Sequence, residues 1–100
     1  MKKKLCILPC IVTTLFCGCR TSHSDLRFGA ANIGGMYYAF ANTFATLSNE
    51  NTDSYTVEVR STAGSAANLR LLSDNYLELG IAQADILEES YKNNQNLRAI

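Results

Sequence analysis

Three short segments rich in small residues, each closing an apolar run and opening a stretch of helical periodicity, constrain this chain more than any other feature. They read Asn32-Ile33-Gly34-Gly35-Met36-Tyr37-Tyr38, Ser61-Thr62-Ala63-Gly64-Ser65-Ala66-Ala67-Asn68 and Gly80-Ile81-Ala82-Gln83-Ala84-Asp85. The device is a strand running out into a helix, whose first N–H groups find no partner inside the helix and so favour anions. Three such starts along the carboxyl edge of one sheet would share a polar crevice, the place where open α/β sheets hold ligands. The pattern points to ligand binding before catalysis.

The residues between these segments fit that frame. Leu26 to Ala31 reads as a strand entering the first turn, and Tyr37, Phe40, Phe44 and Leu47 recur at spacings of three and four, giving one apolar face to a helix ending near Ser48 and Asn49. Tyr55, Val57 and Val59 alternate with Thr56, Glu58 and Arg60, the period of a strand covered on one face, as at a sheet edge. Ala66, Leu69 and Leu72 line a second helix that closes at Ser73, Asp74 and Asn75. Leu79 to Ala82 lacks polar alternation and suits a strand buried on both faces. Ala84, Leu87 and Tyr91 form a third stripe with Glu88, Glu89 and Lys92 outward, and Leu97 to Ile100 reads as a fourth strand beginning. The order βαβαβαβ implies an α/β fold with a parallel sheet and right-handed crossovers. A chain that stops as its fourth strand starts reads as truncated.

The first residues have a different character. Lys2, Lys3 and Lys4 precede a mostly apolar run from Leu5 to Phe16, shorter than the ~20 helical residues a bilayer needs. With Gly18 before Cys19, the pattern is that of a bacterial export signal. All four cysteines, Cys6, Cys10, Cys17 and Cys19, lie in this leader, so the remainder has none for a disulfide. The single residue between Cys17 and Cys19 argues against a metal or redox pair. Residues 1–18 are accordingly read as a signal peptide, 19–25 as a polar tether holding the lone His23 in solvent, and 26–100 as the folding part.

Nine basic and nine acidic residues balance over the whole chain, and without the leader lysines six basic face nine acidic, a net charge of −3. No basic stripe remains, which excludes nucleic acid as an expected partner.

The candidate binding residues lie in the three turns. Gly34 and Gly35 allow positive φ and close approach of a ligand, while Asn32 adds an amide beside them. Helical phase puts Tyr37 in the core stripe and leaves Tyr38 to present its hydroxyl over the helix start. Thr62, Gly64 and Ser65 offer two hydroxyls and a flexible backbone, with Ser65 also a candidate N-cap. Gln83 offers a donor and an acceptor, and Asp85 complements the helix dipole. Gly64 is not followed by the Lys-Ser/Thr pair of a phosphate loop, and Ala31 replaces the middle glycine of a dinucleotide fingerprint. No Ser-His-Asp set can be assembled, so no catalytic residues, metal or cofactor are expected.

Two resemblances sharpen these readings. Leu15-Phe16-Cys17-Gly18-Cys19 resembles a lipobox, which implies lipidation of Cys19 and anchoring to the bacterial cell envelope. Gly29 to Tyr38, Thr62-Ala63-Gly64-Ser65 with Asn68-Leu69-Arg70-Leu71-Leu72, and Gly80 to Asp85 are together similar to the TAXI family, the extracytoplasmic solute-binding subunits of TRAP transporters. That likeness implies a type II periplasmic binding protein-like fold of which this chain supplies one lobe, the second being missing. It also implies capture of a small anionic solute, a dicarboxylate or acidic amino acid, for a membrane permease. Asn32 and Ile33 stand where the family commonly shows small hydroxyl residues, which bears on the solute. An ABC-type or sensor-linked binding protein, or a truncated lipoprotein with no transport role, are the alternatives.

Overall fold

The computed structural model describes residues 23–100; the leader, the lipobox and Cys19 lie outside the described residues. Six elements follow in order: β1 (Ser24–Gly29), α1 (Met36–Asn51), β2 (Tyr55–Arg60), α2 (Ser65–Ser73), β3 (Leu79–Gly80) and α3 (Ala84–Asn93). The strands form one parallel sheet in the order β2-β1-β3. This is the α/β arrangement of βα units that the periodicities imply.

Consecutive residues of the central strand show how the layers are built. Phe28 points to one face, where its ring meets Phe44 of α1 edge-on at 5.4 Å between centroids. Its neighbour Gly29 faces the other way, toward Asn68 of α2. The two helices therefore cover opposite faces of β1. On the α1 face, Phe28, Ala30, Ala41, Ala45 and Val57 are buried together, with Leu26, Tyr38, Tyr55, Val59, Leu79 and Ile81 packed around them.

The phase of α1 differs from the spacing of its large residues. Ala41 and Ala45 are the buried positions, while Phe40 and Leu47 are 59% and 57% exposed. Small side chains let the helix backbone approach the sheet closely, so the alanines and Tyr38 take the inner face. The large residues flank it, and only Phe44 reaches Phe28. A similar shift occurs in α2, where Ala67, Asn68 and Leu69 are buried and Ala66 is exposed.

Three boundaries also differ. β1 begins at Ser24, within the expected tether, because Ser24 and Asp25 pair with Tyr55 and Thr56. His23 is drawn in with them, its Nε2 2.6 Å from Thr56 Oγ1 and its Nδ1 3.2 Å from the Asp53 carbonyl. β3 is only two residues long and half-buried, since among the described residues no strand lies beyond it. Leu97 to Ile100 forms no strand. A turn in which Asn96 N–H donates to Asn94 Oδ1 at 3.0 Å instead leads into a buried Leu97.

The two edges of the sheet are finished differently. On β2, an edge strand as its alternation implies, Asn49 from α1 accepts the Val57 N–H at 2.7 Å and donates to the Val57 carbonyl at 3.1 Å. Its side-chain amide thus occupies backbone groups that a further strand would need. Along β3 runs an open trough of about 850 Å³ lined by Phe28, Phe40, Phe44, Leu79, Ile81 and Leu97 among others.

Candidate functional site

The strand order sets where the helix starts gather. From β2 the chain crosses back over β1 to reach β3, so the strand order reverses beside β1, and ligands of open α/β sheets sit outside the carboxyl ends of the strands at such a point. The loops after β1, β2 and β3 carry the three segments singled out in the sequence.

In the loop after β1, Gly35 N–H donates to the Asn32 carbonyl at 3.0 Å and Gly34 takes φ of +90°. Asn32 and Gly34 are exposed. Gly35 has an ordinary φ of −84°, so only one glycine of the pair uses the left-handed freedom. After β2, Gly64 sits at φ of +111°. Around a Cβ built on either Gly34 or Gly64 there is nothing within 4 Å. The caps of α1, α2 and α3 are Gly35, Gly64 and Gln83, and no side chain caps any of them. The first N–H groups of α1 and α2 therefore lack the partner that a Ser, Thr or Asp cap supplies, while in α3 the Ile86 N–H is taken by Asp85 within the first turn.

One residue that sequence reasoning quoted but assigned no role ties these loops together. Asn68, fully buried, is the sole buried polar side chain among the described residues. Its amide nitrogen donates to the Ala30 carbonyl at 2.6 Å and to the Ile81 carbonyl at 2.8 Å, while its Oδ1 accepts the Thr62 hydroxyl at 2.5 Å. All three hydrogen bonds available to a buried amide in this slot are made, to a different loop each. Two glycines make the slot. A Cβ on Gly29 would lie 2.7 Å from Asn68 Oδ1, and one on its register partner Gly80 would lie 3.3 Å from Asn68 Cβ.

The predicted site residues fall into two groups. Thr62 spends its proton on Asn68, and Ser65 does not cap α2; its Oγ, one residue inside the helix, accepts the Gln83 N–H at 3.0 Å. Gly64 already occupies the cap position, which leaves Ser65 turned toward α3. Thr62, Gly64, Ser65 and Gln83 are thus brought together, and Asn32, Gly34 and Gly35 adjoin them through the β1 loop, where Thr62 N–H donates to the Ala31 carbonyl at 3.3 Å. Tyr38 does not follow the expected phase, since it packs against the core in the place foreseen for Tyr37. Asp85 accepts the Ile86 N–H at 2.9 Å in the first turn of α3, placing a negative charge at that helix start and at neither of the others.

No lysine or arginine lies in the three loops. A forked ion pair stands instead at the opposite end of β3: Arg27 Nη2 and Nε donate to Glu78 at 2.6 and 3.1 Å, and the Arg27 N–H to Glu78 Oε2 at 2.6 Å. These hydrogen bonds bring the Glu78 carboxyl down from 4.5 to about 2, and the same bond raises Arg27. What faces the crevice is backbone amide and hydroxyl, suited to hydrogen-bonding an anion without a countercharge.

Residues 28–99 match the NMT1-like family, from the last two residues of β1 onward. No curated protein matches the chain.

Proposed function

Because the chain belongs to the NMT1-like family, a periplasmic binding-type family with a substrate-binding role, we propose a finer reading: an extracytoplasmic subunit that captures a small anionic solute for a TRAP-type permease. The solute class is a dicarboxylate or acidic amino acid. The observation that carries it is the pair of helix starts at α1 and α2, with neither side-chain caps nor first-turn acids, opening beside the α3 start at one switch point with no basic side chain among them. Each helix end contributes ~0.3–1 kcal/mol to a bound negative charge. Asp85 offsets this at α3, so the carboxylate belongs nearest Gly35 and Gly64, with Asn32, Gly34, Ser65 and Gln83 around it and Tyr38 and Thr62 behind.

Calorimetry against a panel of dicarboxylates and acidic amino acids tests the reading. Gly64→Val would both strain a backbone at φ of +111° and fill open space before the α2 start that a solute would otherwise occupy. It should weaken binding far more than Glu89→Ala, whose side chain pairs with Lys92 on an exposed helix face. Equal effects of the two substitutions would place the solute elsewhere.

The same reading includes attachment to the cell envelope through a lipid on Cys19, supported by Gly18 before it and the short apolar leader. Mass spectrometry of the mature protein should find an acylated N-terminal cysteine. A mature terminus beyond Ser22 without lipid would overturn it.

A further inference from the structure

The crevice loops come from three separate strand ends, and independent loops would not hold their amides in one geometry. Asn68 supplies what backbone pairing does not. Backbone hydrogen bonds tie the loops only two segments at a time, as in Thr62 N–H to the Ala31 carbonyl at 3.3 Å and Ile81 N–H to the Gly29 carbonyl, at the end of β1, at 3.1 Å. Asn68 alone touches all three at once, through Ala30, Thr62 and Ile81. It is also inaccessible, with no part of its surface open to a solute.

The setting is specific to an amide at this position. Two carbonyls need donors and one hydroxyl needs an acceptor, and an amide is the side chain that offers two N–H groups beside one oxygen. Gly29 and Gly80, paired across β1 and β3, leave room for it on the α2 face. The helix carrying Asn68 starts at the crevice itself, and its own N–H donates to the Gly64 carbonyl at 2.8 Å. A displacement of Asn68 is therefore felt at the α2 cap as well as in the loops before and after it.

We propose that Asn68 is the positioning residue of the crevice, coupling the loops after β1, β2 and β3 into one unit so that the solute-facing amides are set by a side chain the solute never touches. The solute-binding part of this rests on the function proposed above, while the coupling itself does not.

Hydrogen exchange on the solute-free chain tests the coupling. In Asn68→Ser, which cannot reach both carbonyls, the amides of Ala30, Thr62, Ile81 and Gln83 should exchange faster together, by about tenfold or more. The amides of Arg27 and Glu78, at the other end of the β1–β3 pair, should stay within about twofold. Gly80→Ala keeps every partner of Asn68 but crowds it, with the new Cβ 3.0 Å from Leu72 Cδ1 and 3.3 Å from Asn68 Cβ. It should give the same pattern more weakly, and it decides the matter should the serine variant not fold. A response limited to one loop, or one shared equally by Arg27 and Glu78, overturns the coupling. Calorimetry with succinate and glutamate then reads its effect on binding: the wild type binds and both variants bind more weakly, Asn68→Ser by about tenfold. Binding unchanged in variants with faster loops would overturn the positioning role, whereas a wild type that binds neither probe counts against the proposed solute and leaves the exchange pattern to decide the coupling.

Discussion

Asn49 and Asn68 carry the same amide and use it in the same way, as a substitute for backbone, yet they stand in opposite circumstances. Asn49 lies exposed near the end of α1 and bonds both polar groups of one residue, Val57, on the rim of the sheet. Asn68 is buried under the strand ends and bonds three loops. The contrast teaches that an amide's value depends on what is left behind when it goes. Water can replace Asn49 at a sheet edge, but without Asn68 the Ile81 carbonyl would be stranded and the Ala30 carbonyl left to the Thr62 hydroxyl alone.

Removing each in turn should expose the difference. Asn68→Ala leaves the Ile81 carbonyl without a partner in a closed space and the Ala30 carbonyl with only the Thr62 hydroxyl, 3.2 Å away, and should cost about 2 kcal/mol in denaturant unfolding. A cost near that of an exposed substitution would mean that water enters the slot. Asn49→Ala should cost about 1 kcal/mol by the same measurement. Because it also bares Val57 on the edge strand, light scattering should show more self-association than in the wild type. A loss equal to that of Asn68 would erase the distinction.

The smallest effect belongs to a third clamp, Arg27 with Glu78, which ties β1 to the approach of β3 using charge. Both side chains are more than a third exposed, at 37% and 35%, so solvent screens the pair. Glu78 holds its proton less tightly in the folded chain, with its carboxyl brought from 4.5 to about 2. Its stabilisation is therefore complete above pH 4.5 and is lost as pH falls toward 2. Glu78→Gln should lower Tm slightly at neutral pH, and the gap from the wild type should close across that acid range. A gap independent of pH would show that the side chain acts by packing instead of charge.

How much of this could be read in advance depends on the kind of pattern involved. The order of strands and helices was legible because alternation in Tyr55 to Arg60 and the three- and four-residue spacings elsewhere are properties of local geometry. Gly34 and Gly64 were legible as turn positions because few residues other than glycine adopt a positive φ. The phase of α1 was not, because periodicity weighs side chains by size while the sheet selects the smallest ones, Ala41 and Ala45, for closest approach. Nor was the role of Asn68. Two of its three partners are backbone carbonyls 38 and 13 residues away, which are identical at every position and leave no mark in the sequence. The one hint was a polar residue beside Leu69 in the apolar stripe of α2.

The open surroundings of Gly34 and Gly64 carry a last implication. With nothing within 4 Å of a Cβ at either place, these positions refuse chirality and not volume. Gly64, at φ of 111° and ψ of −160°, has a backbone whose mirror image is ordinary extended chain. A D-alanine there, in a chemically assembled chain, would rest in its favoured conformation where L-alanine is strained. It would also hold the α2 start in its folded shape while restricting the unfolded chain more than glycine does. This rim of the crevice is thus built for the enantiomer that ribosomes do not supply, and glycine serves there as the achiral compromise.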